Sequence, residues 1–192
     1  MSEVNSQQHI AAHDQVLRFP LGEKPSLVAN EWFIWSGSAD EGGLPDLGHG
    51  KHKVLVPFKW WIAHHKDADV ANLASKQQIA VWFAADDDIL KHAQVIEEGK
   101  KVWPLVAAHF PIFRDGRSFS TAALLRDRLA WTGEIRAIGD VLIDQLLQGA
   151  RVGFDSFALR PDQDTNVALK QFDLFSITTQ NSWRDKRATL AL

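Results

Sequence analysis

The chain has 192 residues, 45% of them hydrophobic and 23% charged, and a net charge of −3. This is enough for one globular domain with a real core, and no global basic field draws it to nucleic acid or anionic lipid. It contains no cysteine, which excludes disulfides, thiolate catalysis, cysteine-ligated zinc and iron–sulfur clusters carried by its own side chains.

No apolar run approaches the ~18 residues a membrane span needs. The opening segment lacks the basic start and apolar stretch of a signal peptide. A cytoplasmic protein that contacts neither membrane nor nucleic acid is the expectation. Eight Trp and no Tyr predict buried indoles, since a Trp ring covers much apolar area and needs only one polar contact.

In chain order, residues 1–30 are weakly patterned and read as a tail, with Leu17 to Pro20 tacked onto the body. Glu31 to Ser36 is a short aromatic strand, followed by a loop rich in Gly, Ser, Asp and Pro. Residues 1–50 thus form a tail and a Trp-rich arm or hairpin. Lys53 to Ala63 is apolar with Pro57 inside, which predicts an edge strand or two short pieces; His64 and His65 follow. Ala68 to Ser75 is a short helix. Gln78 to Ala85 is a buried strand, and Asp86, Asp87 and Asp88 cap a helix ending at Gly99. Val102 to Phe110 is the next strand. A turn follows at Arg114 to Arg117, and Ser118 or Ser120 caps a helix bearing Ala122, Leu125 and Leu129. Glu134 to Ile138 is a strand. Gly139 and Asp140 end it and cap the helix of Leu142, Ile143, Leu146, Leu147 and Ala150, which closes at Gly153. Phe154 to Leu159 is a strand, and the last helix carries Val167, Ala168, Phe172 and Phe175. The segment after Gln180 reads as a polar, mobile tail.

Repeated βα units over residues 51–180 predict an α/β fold with a parallel sheet and right-handed crossovers. It is either an open sheet or a partial TIM-barrel-like arc, since a full barrel needs about 250 residues. An arc with exposed edges predicts a homo-oligomer.

Ligands of parallel α/β folds bind at the carboxyl ends of the strands. That edge is expected to gather Asp86 to Asp88, His109, Phe113, Asp115, Arg117, Gly139, Asp140, Arg160, Asp162 and Gln163. His109, near the end of a buried strand, is either an acid–base group, because imidazole titrates near neutrality, or a half-buried histidine with a backbone partner. Asp115 and Asp140 are further acid–base candidates, though a carboxylate after a strand is equally a helix cap. Arg117 and Arg160 either bind an anion, whose oxygens the guanidinium fork matches, or pair with neighbouring Asp caps; Ser120 and Gln163 add hydrogen-bonding groups. Arg136 lies within a strand and needs solvent or an ion pair, with Asp155 or Glu134 in reach. No dinucleotide or nucleoside-triphosphate fingerprint, zinc-protease motif or nucleophile elbow is present, so no cofactor or metal is assigned.

The segments FPIFRDGRSFSTAALLRDRLAWTGEIRAIGDVLIDQL and GFDSFALRPDQD resemble the bacterial domain-of-unknown-function family 934. The similarity runs from about Ile79 to Gln180. Members are commonly labelled as probable oxidoreductases of sulfite reduction. The resemblance implies an accessory protein of assimilatory sulfate and sulfite reduction, partnering a sulfite reductase component through an aromatic surface around Trp32, Trp35, Trp60 and Trp61. The alternatives are an enzyme, an oxidoreductase among the options, that binds a small anion at the strand ends, and a redox enzyme using a flavin or nicotinamide. Positions matching the family motifs are Asp115, Arg117, Ser120, Arg126, Arg136, Asp140, Gln145, Arg160, Asp162 and Gln163. Redox chemistry needs a carrier that side chains other than Cys supply poorly, and the cofactor stays unknown.

Overall fold

The structure, a computed structural model, describes residues 9–43, 51–175 and 180–185. The start of the expected N-terminal tail, part of the Gly-rich loop and the end of the C-terminal tail lie outside them.

A parallel βα series forms the body. Its strands are β3 (Trp32–Ile34), β4 (Lys53–Pro57), β5 (Ile79–Phe83), β6 (Leu105–Phe110), β7 (Glu134–Gly139) and β8 (Ser156–Phe157). Its helices are α1 (Phe58–His64), α2 (Ala68–Ser75), α3 (Ala93–Gly99), α4 (Arg117–Asp127), α5 (Leu146–Val152) and α6 (Thr165–Leu169). Two further strands, β1 (Gln15–Arg18) and β2 (Ser26–Ala29), form an antiparallel hairpin that continues the sheet from β8. The order is β2-β1-β8-β7-β6-β5-β4-β3. The expected α/β sheet is therefore present, as a curled, mostly parallel half-barrel with an N-terminal hairpin.

The curl follows from chain connectivity. Strands β2 and β3 sit on opposite edges of the sheet, yet only Asn30 and Glu31 separate them. Eight strands laid flat would span roughly 34 Å at a spacing of about 4.8 Å. Three Cα steps reach about 11 Å at most. The edges must therefore approach each other. The chain before β1 crosses this gap: Ile10 N–H donates to the Ile34 carbonyl at 2.9 Å and His13 N–H to that of Leu159 at 2.8 Å. The open edges that would favour self-association are correspondingly reduced.

Strand alternation sorts the side chains. Phe33, Val56, Phe83, Phe110 and Phe157 point to the helix-covered face, where Phe58 meets Phe83 and Phe119 meets Phe110 in aromatic contacts. The opposite, concave face carries Trp32, Lys53, Trp82, His109, Arg136, Ser156 and Arg18, as the strand registers require. Turns from helix into strand use left-handed residues: Gln77 at φ 54° after α2 and Ala130 at φ 49° after α4.

Several expectations are corrected. Residues 15–29 are not a tail, because Val16 and Leu17 are wholly buried in the sheet. Pro57 does not mark an edge strand: β4 is interior, Pro57 is its last residue, and the apolar run continues as α1. His64 and His65 thus end a helix instead of a strand. Residues 180–185 are docked, with Arg184 donating to the carbonyls of Ala150, Phe154 and Phe19. Trp32, Trp35, Trp60 and Trp61 form no surface: each is at most 7% exposed. Their rings pack edge-on, Trp35 against Trp60 and Trp61 against Trp103, and the Trp60 indole donates to the Glu41 carbonyl at 2.8 Å.

Candidate functional site: the two rims of the sheet

At the carboxyl ends of the strands the chain builds a network of ion pairs. Gly139 adopts φ 92°, and a Cβ there would stand 2.4 Å from the Phe110 carbonyl oxygen. This close crossing sends Asp140 over the rim instead of into a helix cap, so the expected capping role is corrected. One Asp140 oxygen accepts from Arg160 at 2.7 Å; the other accepts from the Phe113 amide at 2.7 Å. Gln145 donates to the Phe113 carbonyl at 2.7 Å. The loop after β6 is therefore held by both polar groups of one residue, while Ile112 and Phe113 stay 47% and 53% exposed. Leu90, in the short helical turn that follows β5, is 47% exposed.

The remaining candidates at this rim are paired. Arg117 grips Asp115 at 2.6 Å and Arg160 grips Asp162 at 2.6 Å. These guanidinium hydrogen bonds hold both carboxyls down at about 2, well below the usual range, and raise the arginines. Gln163 accepts from the Ile143 amide at 3.3 Å. Neither serine caps α4. Gly116 takes the N-cap, buried Ser118 donates to the His109 carbonyl at 2.6 Å, and Ser120 lies exposed. The Asp88 carboxylate caps the turn after β5, and Asp87 accepts from the Ala84 amide at 2.8 Å while pairing with Lys59.

His109 belongs to the concave face, not to the polar rim. Its ring meets Trp82 edge-on at 5.1 Å, and burial depresses its pKa below the ordinary value.

Arg136 lies at the other end. It is 5% exposed and donates to Glu134 through Nε at 3.0 Å and Nη2 at 2.7 Å, and to Ser156 at 3.1 Å. Burial works to raise the Glu134 carboxyl. The charge of Arg136, the hydrogen bonds from Ser156 and Arg136, and the charge of Arg18 outweigh it and hold the group below its usual range. Asp155, the other partner considered for Arg136, is taken by Arg126. Arg126 is a structural clamp: besides Asp155, it donates to the carbonyls of Trp131, Gly133 and Gly153 at 2.7 to 3.0 Å.

A cavity of about 510 Å³ opens at this amino rim. Arg18, Lys53, Lys76 and Arg136 line it with Glu31 and Glu134, over an apolar floor that includes Val28, Trp32 and Leu105. The rule that places sites at carboxyl ends does not reach it. A readable signal was present, since Glu134 and Arg136 two apart in a strand must share a face. Arg18 was hidden by its assignment to the tail.

Among the described residues, no group of three or more His, Asp or Glu is placed to hold a metal ion, and no helix is long and apolar enough to cross a membrane. No curated protein and no solved structure matches the chain. The family model described as "Bacterial protein of unknown function (DUF934)" matches residues 80–190, from β5 to beyond Arg184 and across both rims of the later strands, and the chain belongs to that family.

Proposed function

We propose that this chain is a non-catalytic partner of the sulfite reductase system in the cytoplasm, docking through the carboxyl rim of its sheet. One observation carries the reading: the loop after β6 is pinned by Asp140 and Gln145 and yet presents Ile112 and Phe113 to solvent. Single exposed apolar residues are ordinary, but here two adjacent ones stand on one pinned loop, framed by ion pairs. A loop already fixed in its binding conformation loses little entropy on association. The link to sulfite reduction comes from the resemblance of the family motifs.

Acid–base catalysis at the same rim is less favoured. Asp115 and Asp162 stay ionised at neutral pH, and both arginines already face carboxylates, so an entering anion must displace them.

The test is co-purification of tagged protein from cells assimilating sulfate. The wild type should recover a sulfite reductase component, and the double variant I112S/F113S should lose it while keeping its fold. Equal recovery by both proteins, or no reductase with the wild type, would sink the proposal.

A further inference from the structure

The amino-rim cavity holds more positive charge than its own carboxylates neutralise. Four cations line it against two acids, and each acid already has a salt-bridge partner: Glu31 with Lys53 at 2.5 Å and Glu134 with Arg136 at 2.7 Å. Among the described residues, three buried side-chain donors have no hydrogen-bond partner, and two of them, Nη1 of Arg136 and Nε of Arg18, belong to residues that line this cavity. Buried donors are nearly always satisfied, and an unmet one asks for an explanation such as a missing ion or ligand.

The two guanidinium-bearing residues are not scattered surface charges. Arg18 and Arg136 both pair in register with Ser156, from β1 on one side and β7 on the other, and so stand as next-but-one neighbours on the concave face. One Glu134 oxygen accepts from Arg136 twice and from Ser156, and these bonds still leave Nη1 of Arg136 and Nε of Arg18 unmet.

We propose that this cavity binds a small molecule bearing a phosphate- or sulfate-type oxyanion, held between Arg18 and Arg136, with an apolar body on the Trp32 side. Such a group offers several acceptors to the unmet N–H donors, and charge-assisted bonds of this type are the strong ones. The cavity volume falls in the small-molecule range of roughly 300 to 1,000 Å³, and Val28, Trp32 and Leu105 give an apolar body somewhere to lie. The site lies at the opposite end of the strands from the docking rim and is independent of it.

The probes are phenyl phosphate, inorganic phosphate and phenol, each at about 10 mM and matched ionic strength, read by thermal unfolding and by Trp fluorescence. Phenyl phosphate should raise the unfolding temperature by several degrees, inorganic phosphate by less, and phenol not at all. R18Q should weaken phenyl phosphate about tenfold, as losing one charged hydrogen-bonding group predicts. The paired change E134Q/R136M, which removes the Glu134–Arg136 ion pair as a whole, should abolish the shift; K76Q supplies an independent, exposed variant expected to weaken it. R117A/R160A at the other rim should leave it unchanged. No shift with either phosphate would overturn the site. Equal shifts from the two phosphates would overturn an organic ligand. A shift that survives R18Q and K76Q, or disappears in R117A/R160A, would overturn the location.

Discussion

The two rims of the sheet use charge in opposite ways. At the carboxyl rim the ion pairs are exposed and matched, and their product is a stiff loop that shows apolar side chains to solvent. At the amino rim the Glu134–Arg136 pair is largely buried, the outer charges of Glu31, Lys53 and Lys76 stay open to solvent, and some donors remain unmet. The same residue type therefore does different work at the two ends: Arg160 and Arg117 restrain neighbours, Arg126 holds the chain together, and Arg18 and Arg136 each keep one buried donor unmet. The position of a charge along the strand, and above all its burial, decides its role more than its match to a motif.

The largest effect that would break this contrast is at Arg126. Its side chain is 1% exposed and Asp155 depends on it. R126M should cost about 3–5 kcal/mol, because it strands a buried carboxylate and three carbonyls. The same truncation at Arg117, 59% exposed, should change stability by less than about 1 kcal/mol. Urea unfolding of the two variants compares them directly, and similar costs would dissolve the distinction between the rims.

Asp140 sharpens the comparison at intermediate size. D140A releases Arg160 and the Phe113 amide together, at a cost of about 1–3 kcal/mol. Amide exchange should rise in residues 111–116 and stay unchanged in the turns around Gly133 and Gly153. Exchange that spreads to both ends would show that the rims are coupled.

The smallest effect is at His109. Burial lowers its folded pKa, so between that value and about 6.5 the unfolded chain binds a proton that the folded chain does not. Stability from this group is present above about pH 6.5 and is lost as pH falls toward the folded pKa. Unfolding temperatures measured from pH 7.5 down to 5 should decline less in H109Q than in the wild type; parallel curves would mean that the imidazole is not the source.

Much of the fold is legible in the sequence where contacts are local. The βα alternation from residue 78 onward and the helix Ala68–Ser75 follow from apolar period and turn residues. Strands β1 and β2 are not legible, because QVLR and SLVA are short and gain their meaning from β8, far away in the chain. VPFKWWIA fits strand or helix equally, and tertiary packing of Phe58, Trp60 and Trp61 decides for helix after Pro57. At the site, the acidic and basic residues of the carboxyl rim were readable as a group. Pairing of Arg117 with Asp115 and of Arg160 with Asp162 is readable from their nearness in sequence, but that of Asp140 with Arg160 is not, since the two are joined only once β7 and β8 lie side by side. The amino-rim cavity stayed hidden because Arg18 arrives there from the other end of the sequence.

The seam where the sheet edges meet also sets an order of assembly. Leu17 pairs with Phe157, 140 positions later. During synthesis the first strand to emerge is thus among the last to find its neighbour, and its apolar Val16 and Leu17 wait uncovered until β8 has left the ribosome. Pairing over so long a loop is slow compared with local βα closure. A nascent chain halted before residue 156 carries the whole hairpin without its docking strand, which makes that interval the one in which this protein most needs a chaperone.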